Sequence, residues 1–243
     1  MTALVRIVLI DPSHPGNIGS VARAMKNMAL SDLVLVRPRS FPHPESSALA
    51  AGADDILAQA RVVASVTEAV SDCGFVAGTT SRPRSYHWEF TTPRDVAGRI
   101  VGLPAGDGAA LLFGSERYGL STEDLNHCNV LVRIPANPAY CSLNLAMSVQ
   151  LLTYEIFMSR EVPQSHTQLE SPLAPSGDVE HFYAHLEEVM GEIDFDDRTG
   201  HLMERLRRLF NRAQLDRNEL NILRGFLSAV QGRRGQSAQR RRE

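Results

Sequence analysis

The sequence of 243 residues is poor in cysteine, in lysine and in long apolar runs. Its three scattered cysteines, Cys73, Cys128 and Cys141, form neither a disulfide framework nor a metal-ligand spacing. The eight histidines do not cluster with cysteines or acids at ligand spacing either, so no metal site is expected. An odd number of isolated cysteines fits a reducing compartment, and we therefore expect a cytoplasmic protein.

No apolar run approaches the roughly 18–20 residues that a bilayer span requires, so no membrane partner is expected. The first residues also lack the basic, apolar and small-residue regions of a secretory signal peptide. Hydrophobic residues make up 43% and charged residues 22%, which excludes global disorder.

The charged residues are distributed unevenly along the chain. Residues 1–160 are nearly neutral, whereas residues 161–197 carry ten acids and no lysine or arginine. Residues 198–243 carry twelve arginines against four acids. A basic segment of this kind fits either a polyanionic partner or a solvated helix surface, and charge alone does not decide between them.

Apolar, β-branched runs alternate with helical patterns through residues 1–160. The strands are predicted at 4–10, 33–36, 74–78, 109–113 and 130–134. The main helices between and after them are predicted at 17–29, 47–60, 66–71, 93–100 and 142–159. This alternation predicts an α/β fold with a mostly parallel sheet that is covered on both faces.

The composition changes after residue 160. Proline and serine mark residues 161–177 as a linker, and three amphipathic helices follow in residues 178–232 as a small all-α extension. Asp216 and Glu219 are placed as a capping box for the last of these helices. Residues 233–243 are predicted to be an irregular basic tail.

Three loops, 78–84, 114–119 and 135–142, follow predicted strands at their carboxyl ends, where open α/β sheets bind ligands. None of them is a P-loop, and no Gly-x-Gly-x-x-Gly fingerprint follows a strand, which argues against a nicotinamide cofactor. At the end of the third loop, Ser142 fits either a helix N-cap or a group that holds a polar ligand.

Arg23 stands in a predicted helix among small and apolar residues. A buried cation there must be paired, so either an ion pair or a functional role is expected.

Three motifs in order, Asn17-x-Gly19-x-x-x-Arg23, Gly114-x-Glu116-x-x-Gly119-Leu120 and Ser142-Leu143-Asn144, resemble those of the SPOUT family of RNA methyltransferases. The match covers residues 1–160 and lies in the branch that methylates ribose 2′-hydroxyls. The runs at 5–24 and 134–138, with the helical extension, resemble the members that act on cytidine or uridine at the first nucleotide of the tRNA anticodon loop, position 32.

The resemblance implies a deep trefoil knot near the end of the α/β domain, at the loops around 114–119 and 135–142. It also implies S-adenosyl-L-methionine as cofactor, tRNA as substrate and a homodimer whose active site draws on both subunits. By motif position, the cofactor pocket is lined by Thr79, Thr80, Ser81, Gly114, Ile134, Cys141, Ser142 and Leu143.

By the same resemblance, Arg23 is the catalytic residue. Because arginine is a poor base at neutral pH, we expect it to orient the ribose and to stabilise the developing alkoxide. Asn17 and Asn144 support the site, and Glu116 is expected to pair with an arginine across the dimer.

Further arginines are expected to contact the RNA. Arg82 and Arg84 stand beside the cofactor loop. Arg205, Arg208 and Arg212 share one arc of the second helix of the extension, where they would bind tRNA phosphates.

Two other readings remain open at this point. The chain could methylate ribosomal RNA or another tRNA ribose, since the catalytic domain would look much the same. It could also be a non-catalytic RNA-binding protein on a degenerate scaffold, but the intact Arg23, Glu116 and Asn144 argue against that.

Overall fold

A computed structural model of the chain describes residues 4–81, 88–160, 171–195 and 200–240, with side chains up to residue 232. Its seven described strands form one sheet in the order β3-β2-β1-β6-β4-β7-β5, and every pairing is parallel. The predicted α/β fold is therefore confirmed. The strands are β1 Leu4–Ile10, β2 Asp32–Val36, β3 Arg61–Val63, β4 Cys73–Thr79, β5 Phe90–Thr91, β6 Gly108–Phe113 and β7 Val130–Val132.

Helices cover both faces of this sheet, because successive side chains of a strand point to opposite sides. In β1, Ile7 and Leu9 pack into one core, and Val8 and Ile10 pack into the other. The helices of the first face are α1 Pro15–Asn27, α2 Pro44–Ala50, α3 Asp54–Gln59, α5 Pro93–Val101 and α7 Leu145–Arg160. Those of the second face are α4 Val66–Val70 and α6 Thr122–Leu125.

Two helix predictions need correction. The single helix predicted at 47–60 is divided into α2 and α3, because Ala51 and Gly52 adopt φ angles of 48° and 93°. The expectation that Ser142 caps α7 is wrong. The helix begins at Leu145, and Asn144 caps it through Oδ1, which accepts a 2.8 Å hydrogen bond from the Ala146 amide.

Gly19 brings α1 and α2 into close contact. A Cβ at this position would lie 2.1 Å from the Ser46 carbonyl oxygen, so only glycine allows the two helices to cross here. The Ser46 hydroxyl in turn donates a 2.8 Å hydrogen bond to the Pro15 carbonyl. This crossing fixes the start of α1, which carries the first motif.

Three helices, α8 Ser176–Glu192, α9 Leu202–Ala213 and α10 Arg217–Arg240, form the C-terminal extension around a core of their own. The predicted capping box is present: the Asp216 amide donates to the Glu219 carboxylate, and the Glu219 amide donates to Asp216 Oδ1. From this start α10 continues to Arg240, so residues 233–240 are helical. The prediction of an irregular tail is therefore wrong for these residues. The helix can extend this far because each residue added to an existing helix makes one further backbone hydrogen bond.

The extension is attached to the sheet domain by buried contacts. Leu173, within the predicted linker, is buried in the core under the first face of the sheet, and the next residue, Ala174, joins the core of the extension. The Asn211 side chain of α9 donates a 2.9 Å hydrogen bond to the Asn126 carbonyl. Asn129 returns one of 2.9 Å to the Asn211 carbonyl. These contacts join α9 to the segment between α6 and β7.

Within the described ranges, none of the helices has the length and apolar character needed to cross a membrane.

Candidate active site

The loops after β4, β6 and β7 surround one cavity of about 390 Å³. Because all the strands run parallel, their carboxyl ends lie at the same edge of the sheet, where α/β proteins bind ligands. The cavity is lined by Thr79, Thr80, Ser81, Phe113, Gly114, Ser115, Glu116, Arg117, Tyr118, Gly119, Val132, Ile134, Cys141, Ser142, Leu143, Leu145 and Ser148.

All eight residues that the motifs assigned to a cofactor pocket are among these lining residues. The sequence analysis missed the apolar wall formed by Phe113, Val132 and Leu145, and it also missed Tyr118 and Ser148. Phe113 ends a predicted strand next to a predicted loop, so its position was a usable signal, whereas Val132 lies in the middle of the strand predicted at 130–134. Ser148 lies one helical turn into α7 and carried no such signal.

The loop 114–119 is tightly folded against itself. The Gly119 amide donates a 2.8 Å hydrogen bond to the Ser115 carbonyl, and Gly119 has a φ of 69°. A Cβ on Gly114 would lie 2.0 Å from the Gly119 carbonyl carbon, so residue 114 must be glycine. The cavity wall at this point is therefore backbone, which offers amides and carbonyls to a ligand.

Glu116 connects this loop to the start of α1. Its Oε2 accepts hydrogen bonds of 3.0 Å and 2.8 Å from the Ser13 amide and hydroxyl. Its Oε1 accepts one of 3.2 Å from the His14 amide and one of 2.8 Å from Asn17 Nδ2. Burial raises the pKa of Glu116, but these hydrogen bonds outweigh burial and lower the pKa to about 2.

The third motif joins the same network. Asn144 Nδ2 donates a 3.1 Å hydrogen bond to Asn17 Oδ1, whose amide group binds Glu116. One residue from each of the three motifs therefore lies in a single chain of hydrogen bonds. Within the chain, both oxygens of Glu116 accept hydrogen bonds from Ser13, His14 and Asn17, and the pairing with an arginine across the dimer stays a prediction.

Arg23 is exposed on α1, so the expectation that it is buried among small residues is wrong. Ala22 and Ala24 are buried beside it, but successive helix positions are about 100° apart and Arg23 points away from both. Its guanidinium makes no hydrogen bond or ion pair with any residue that the structure describes. The charge is thus available to a ligand or to another chain.

Arginines of α9 divide between two faces. Arg205 and Arg212 are exposed, and Arg208 is half-buried with its Nε donating to the Glu204 carbonyl at 3.3 Å. Arg207 turns inward, where it pairs with Glu180 at 2.8 Å and lies 4.4 Å from the centre of the Tyr183 ring. The predicted arc of Arg205, Arg208 and Arg212 therefore remains on the outer side.

Arg82 and Arg84 lie outside the described residues. In the part of the chain that the structure does describe, no group of three or more histidine, cysteine or acidic side chains could hold a metal ion.

Comparison with known proteins shows to which family the chain belongs. Residues 4–154 match the SpoU rRNA Methylase family. The chain belongs to this family. Residues 177–243 match the C-terminal domain of the tRNA methyltransferase TrmJ. The resemblance drawn from the three motifs is confirmed, and it extends to TrmJ through the helical extension.

Two relatives and one solved structure agree with this assignment over nearly the whole chain. The chain is 46% identical to the tRNA (cytidine/uridine/adenosine-2′-O-)-methyltransferase TrmJ of Pseudomonas aeruginosa, covering 93% of each chain. It is 45% identical to the tRNA (cytidine/uridine-2′-O-)-methyltransferase TrmJ of Photorhabdus laumondii, covering 93% of this chain and 96% of the relative. The crystal structure of TrmJ from Z. mobilis superposes with a TM-score of 0.83 at 35% identity, covering 94% of this chain and 100% of that one.

Proposed function

We propose that this chain is a cytoplasmic tRNA methyltransferase that uses S-adenosyl-L-methionine to methylate the ribose 2′-hydroxyl of the first anticodon-loop nucleotide, position 32. One observation carries the proposal. The cavity formed by the three loops lies against the network that joins Asn17, Glu116 and Asn144, in a chain of the SpoU family.

The cavity suits the proposed cofactor. Its volume of about 390 Å³ lies within the range of small-molecule sites. Val132, Ile134 and Leu143 offer apolar walls for an adenine ring, and the backbone at Gly114 offers amides and carbonyls at close range. When bound, the cofactor supplies a methyl group that is already electrophilic. The chain therefore needs only to orient the ribose and to assist loss of its proton.

We assign the orienting role to Arg23. A guanidinium can hold the ribose and its phosphate and can stabilise a developing alkoxide, as electrostatic groups do in other enzymes. Glu116 and Asn17 act as positioning residues, because their hydrogen bonds fix the start of the helix that carries Arg23. The exposed position of Arg23 fits a site that is completed by a second copy of the chain.

The homodimer is supported by an exposed apolar stripe on α7. Met147, Leu151, Tyr154 and Met158 recur at helical spacing on one face and are all exposed in the single chain. Exposed apolar patches of this kind mark interaction surfaces. The proposed dimer would cover this stripe and bring Arg23 of one subunit to the cavity of the other.

The proposed trefoil knot involves the same loops. The chain leaves β6, forms the loop 114–119 and crosses beside β4 to β7, and residues 141–143 then line the same cavity as Gly114. A knot here would hold these loops together without a ligand.

The exposed arginines of α9 support tRNA as the substrate, since clustered guanidinium groups bind phosphates. The names of the two relatives differ in whether adenosine is included beside cytidine and uridine. For this chain we propose cytidine and uridine.

The test is methyl transfer from labelled S-adenosyl-L-methionine to bulk tRNA and, separately, to bulk ribosomal RNA, with the methylated nucleotide mapped. We expect a 2′-O-methyl mark at position 32 of tRNA. Label only in ribosomal RNA, or at another tRNA position, would keep the chemistry and refute the site. Cofactor binding without transfer to either RNA would favour a binding protein.

A further inference from the structure

A second cavity, of about 970 Å³, lies beside the proposed cofactor cavity, and both share residues 115–119 as a wall. The rest of its lining comes from residues that follow β1, β2 and β3 and from residues 121–127, which lie in and around α6. It therefore opens next to β1 and β6, where the sheet changes its direction of winding and where α/β folds bind ligands.

Three of the four carboxylates that line this second cavity already accept hydrogen bonds from the protein. Asp11 accepts hydrogen bonds of 3.0 Å and 2.9 Å from Arg37, and Asp124 accepts one of 2.7 Å from the Ser121 hydroxyl. Glu116 is occupied by the start of α1. The pKa of Arg37 is raised, chiefly because Arg37 donates hydrogen bonds to Asp11, and the negative charges of Asp11, Asp124 and the exposed Glu123 add to this effect.

Arg39 differs from Arg37. It is exposed at the same cavity, and its guanidinium makes no hydrogen bond or ion pair with the described residues. Its backbone is held in place, because its amide donates a 3.1 Å hydrogen bond to the Pro12 carbonyl. A guanidinium that has no partner among the described residues and stands on a fixed backbone favours an anionic ligand, and it fits a phosphate.

Tyr118 supplies an apolar surface at the wall between the two cavities. Its side chain is 63% exposed, and the guanidinium of Arg117 lies 5.3 Å from the centre of its ring. A large exposed aromatic ring at the edge of a groove is the type of platform on which nucleic-acid bases stack. Tyr118 and Arg39 together thus offer a surface for a base and a donor for a phosphate.

We propose that the second cavity binds a nucleotide next to the methylated one, with Tyr118 stacking on its base and Arg39 contacting a backbone phosphate. The inference rests on the proposed function, since the ribose that reacts must lie at the cofactor cavity. The RNA chain then continues from the reacting ribose across the loop 115–119 into the larger cavity. Stacking tolerates any base, whereas the phosphate contact sets the register of the strand.

The experiment compares Tyr118→Ala, Tyr118→Phe, Arg39→Ala and Arg39→Lys with wild-type protein. The matched control is Arg61→Ala, which removes an exposed arginine at the start of β3 that lines neither cavity. The tRNA Kd is measured at several salt concentrations, the Kd of the cofactor by calorimetry, and the fold by circular dichroism.

We expect Tyr118→Ala to weaken tRNA binding by roughly 10-fold and Tyr118→Phe to restore it, because the ring is kept. Arg39→Ala should weaken binding about 5-fold and lower the salt slope of log Kd by about 1, and Arg39→Lys should keep the slope. Arg61→Ala should match wild type in tRNA binding. The cofactor Kd should stay the same in the Arg39 and Arg61 variants, and in Tyr118→Ala it should change by less than the tRNA Kd, because Tyr118 lies on the wall that the two cavities share.

Unchanged tRNA binding in both alanine variants would overturn the proposal. So would a loss of cofactor affinity in Tyr118→Ala equal to its loss of tRNA affinity, since Tyr118 would then serve the first cavity. Failure of the proposed function is recognised separately, because wild-type protein would then transfer no methyl group to any RNA. The binding measurements require no turnover and decide between the two.

Discussion

Asn17 and Glu116 are 99 residues apart in the sequence, yet Asn17 Nδ2 lies 2.8 Å from Glu116 Oε1. The Ser13 and His14 amides donate to the same carboxylate, so the entry to α1 is bound to the loop after β6. Through this contact the helix that carries Arg23 and the loop that lines the proposed cofactor cavity hold a fixed relative position. Five predictions follow from this and related contacts.

Glu116→Gln should lower the free energy of unfolding by about 2 kcal/mol at neutral pH, a value discounted for partial exposure of the carboxylate. The native pKa of Glu116 is lowered from 4.5 to about 2. Its stabilisation is therefore complete above pH 4.5 and is lost as the pH falls toward 2. The difference between wild type and variant should shrink over that range in urea denaturation curves. Glu187→Gln, at an exposed position on α8, should cause no such difference.

Arg23→Ala should reduce methyl transfer by at least about 100-fold and leave the cofactor Kd unchanged, because the guanidinium acts on the ribose and not on the cofactor. Single-turnover assays and calorimetry separate the two effects. Lys26→Ala, which removes the next exposed cation of α1 and its ion pair with Asp55, should keep near-normal turnover. Wild-type turnover by Arg23→Ala would refute the assigned role.

Gly114→Ala should abolish cofactor binding, because the added Cβ would overlap the Gly119 backbone and force the loop 114–119 out of place. Calorimetric titration with S-adenosyl-L-methionine measures this loss directly. Gly225→Ala is the control: a Cβ there meets nothing within 4 Å. Because Gly225 lies within α10, alanine should stabilise the extension by up to about 1 kcal/mol. Normal affinity in Gly114→Ala would show that the loop can move away without loss of the site.

Asn211→Ala should cost about 2–3 kcal/mol, since it leaves the Asn126 carbonyl and the Tyr183 hydroxyl without their side-chain partner at this contact. Limited proteolysis should then release the extension faster than in wild type. Asn218→Ala, which changes an exposed asparagine of α10, should leave both unfolding and proteolysis unchanged. Equal proteolysis of the two variants would mean that apolar packing alone holds the extension.

Leu151→Arg should shift the protein to the monomer and reduce methyl transfer, because it places a charge within the exposed apolar stripe of α7. Sedimentation equilibrium measures the change in association. Leu209→Arg, at an exposed leucine of α9, should leave the oligomeric state unchanged. A wild-type monomer, or a dimer that persists in Leu151→Arg, would exclude α7 as the interface.

The local patterns determined five of the seven described strands, the main helices and the capping box of α10, because these depend on neighbouring residues. They missed β3 and β5, which have only three and two residues and hence no periodicity to read. The helix break at Ala51 was also missed, since alanine gives no local signal for a positive φ.

The three motifs were recognisable in the sequence because their residue types and spacing occur together, and the cavity-lining residues followed from motif position. What only the tertiary structure decided is how the motifs meet. Glu116 binds the start of α1, Arg23 faces outward, and Arg207 turns inward while Arg205 and Arg212 stay exposed. These outcomes depend on which distant segments pack together, and no spacing along a single chain contains that information.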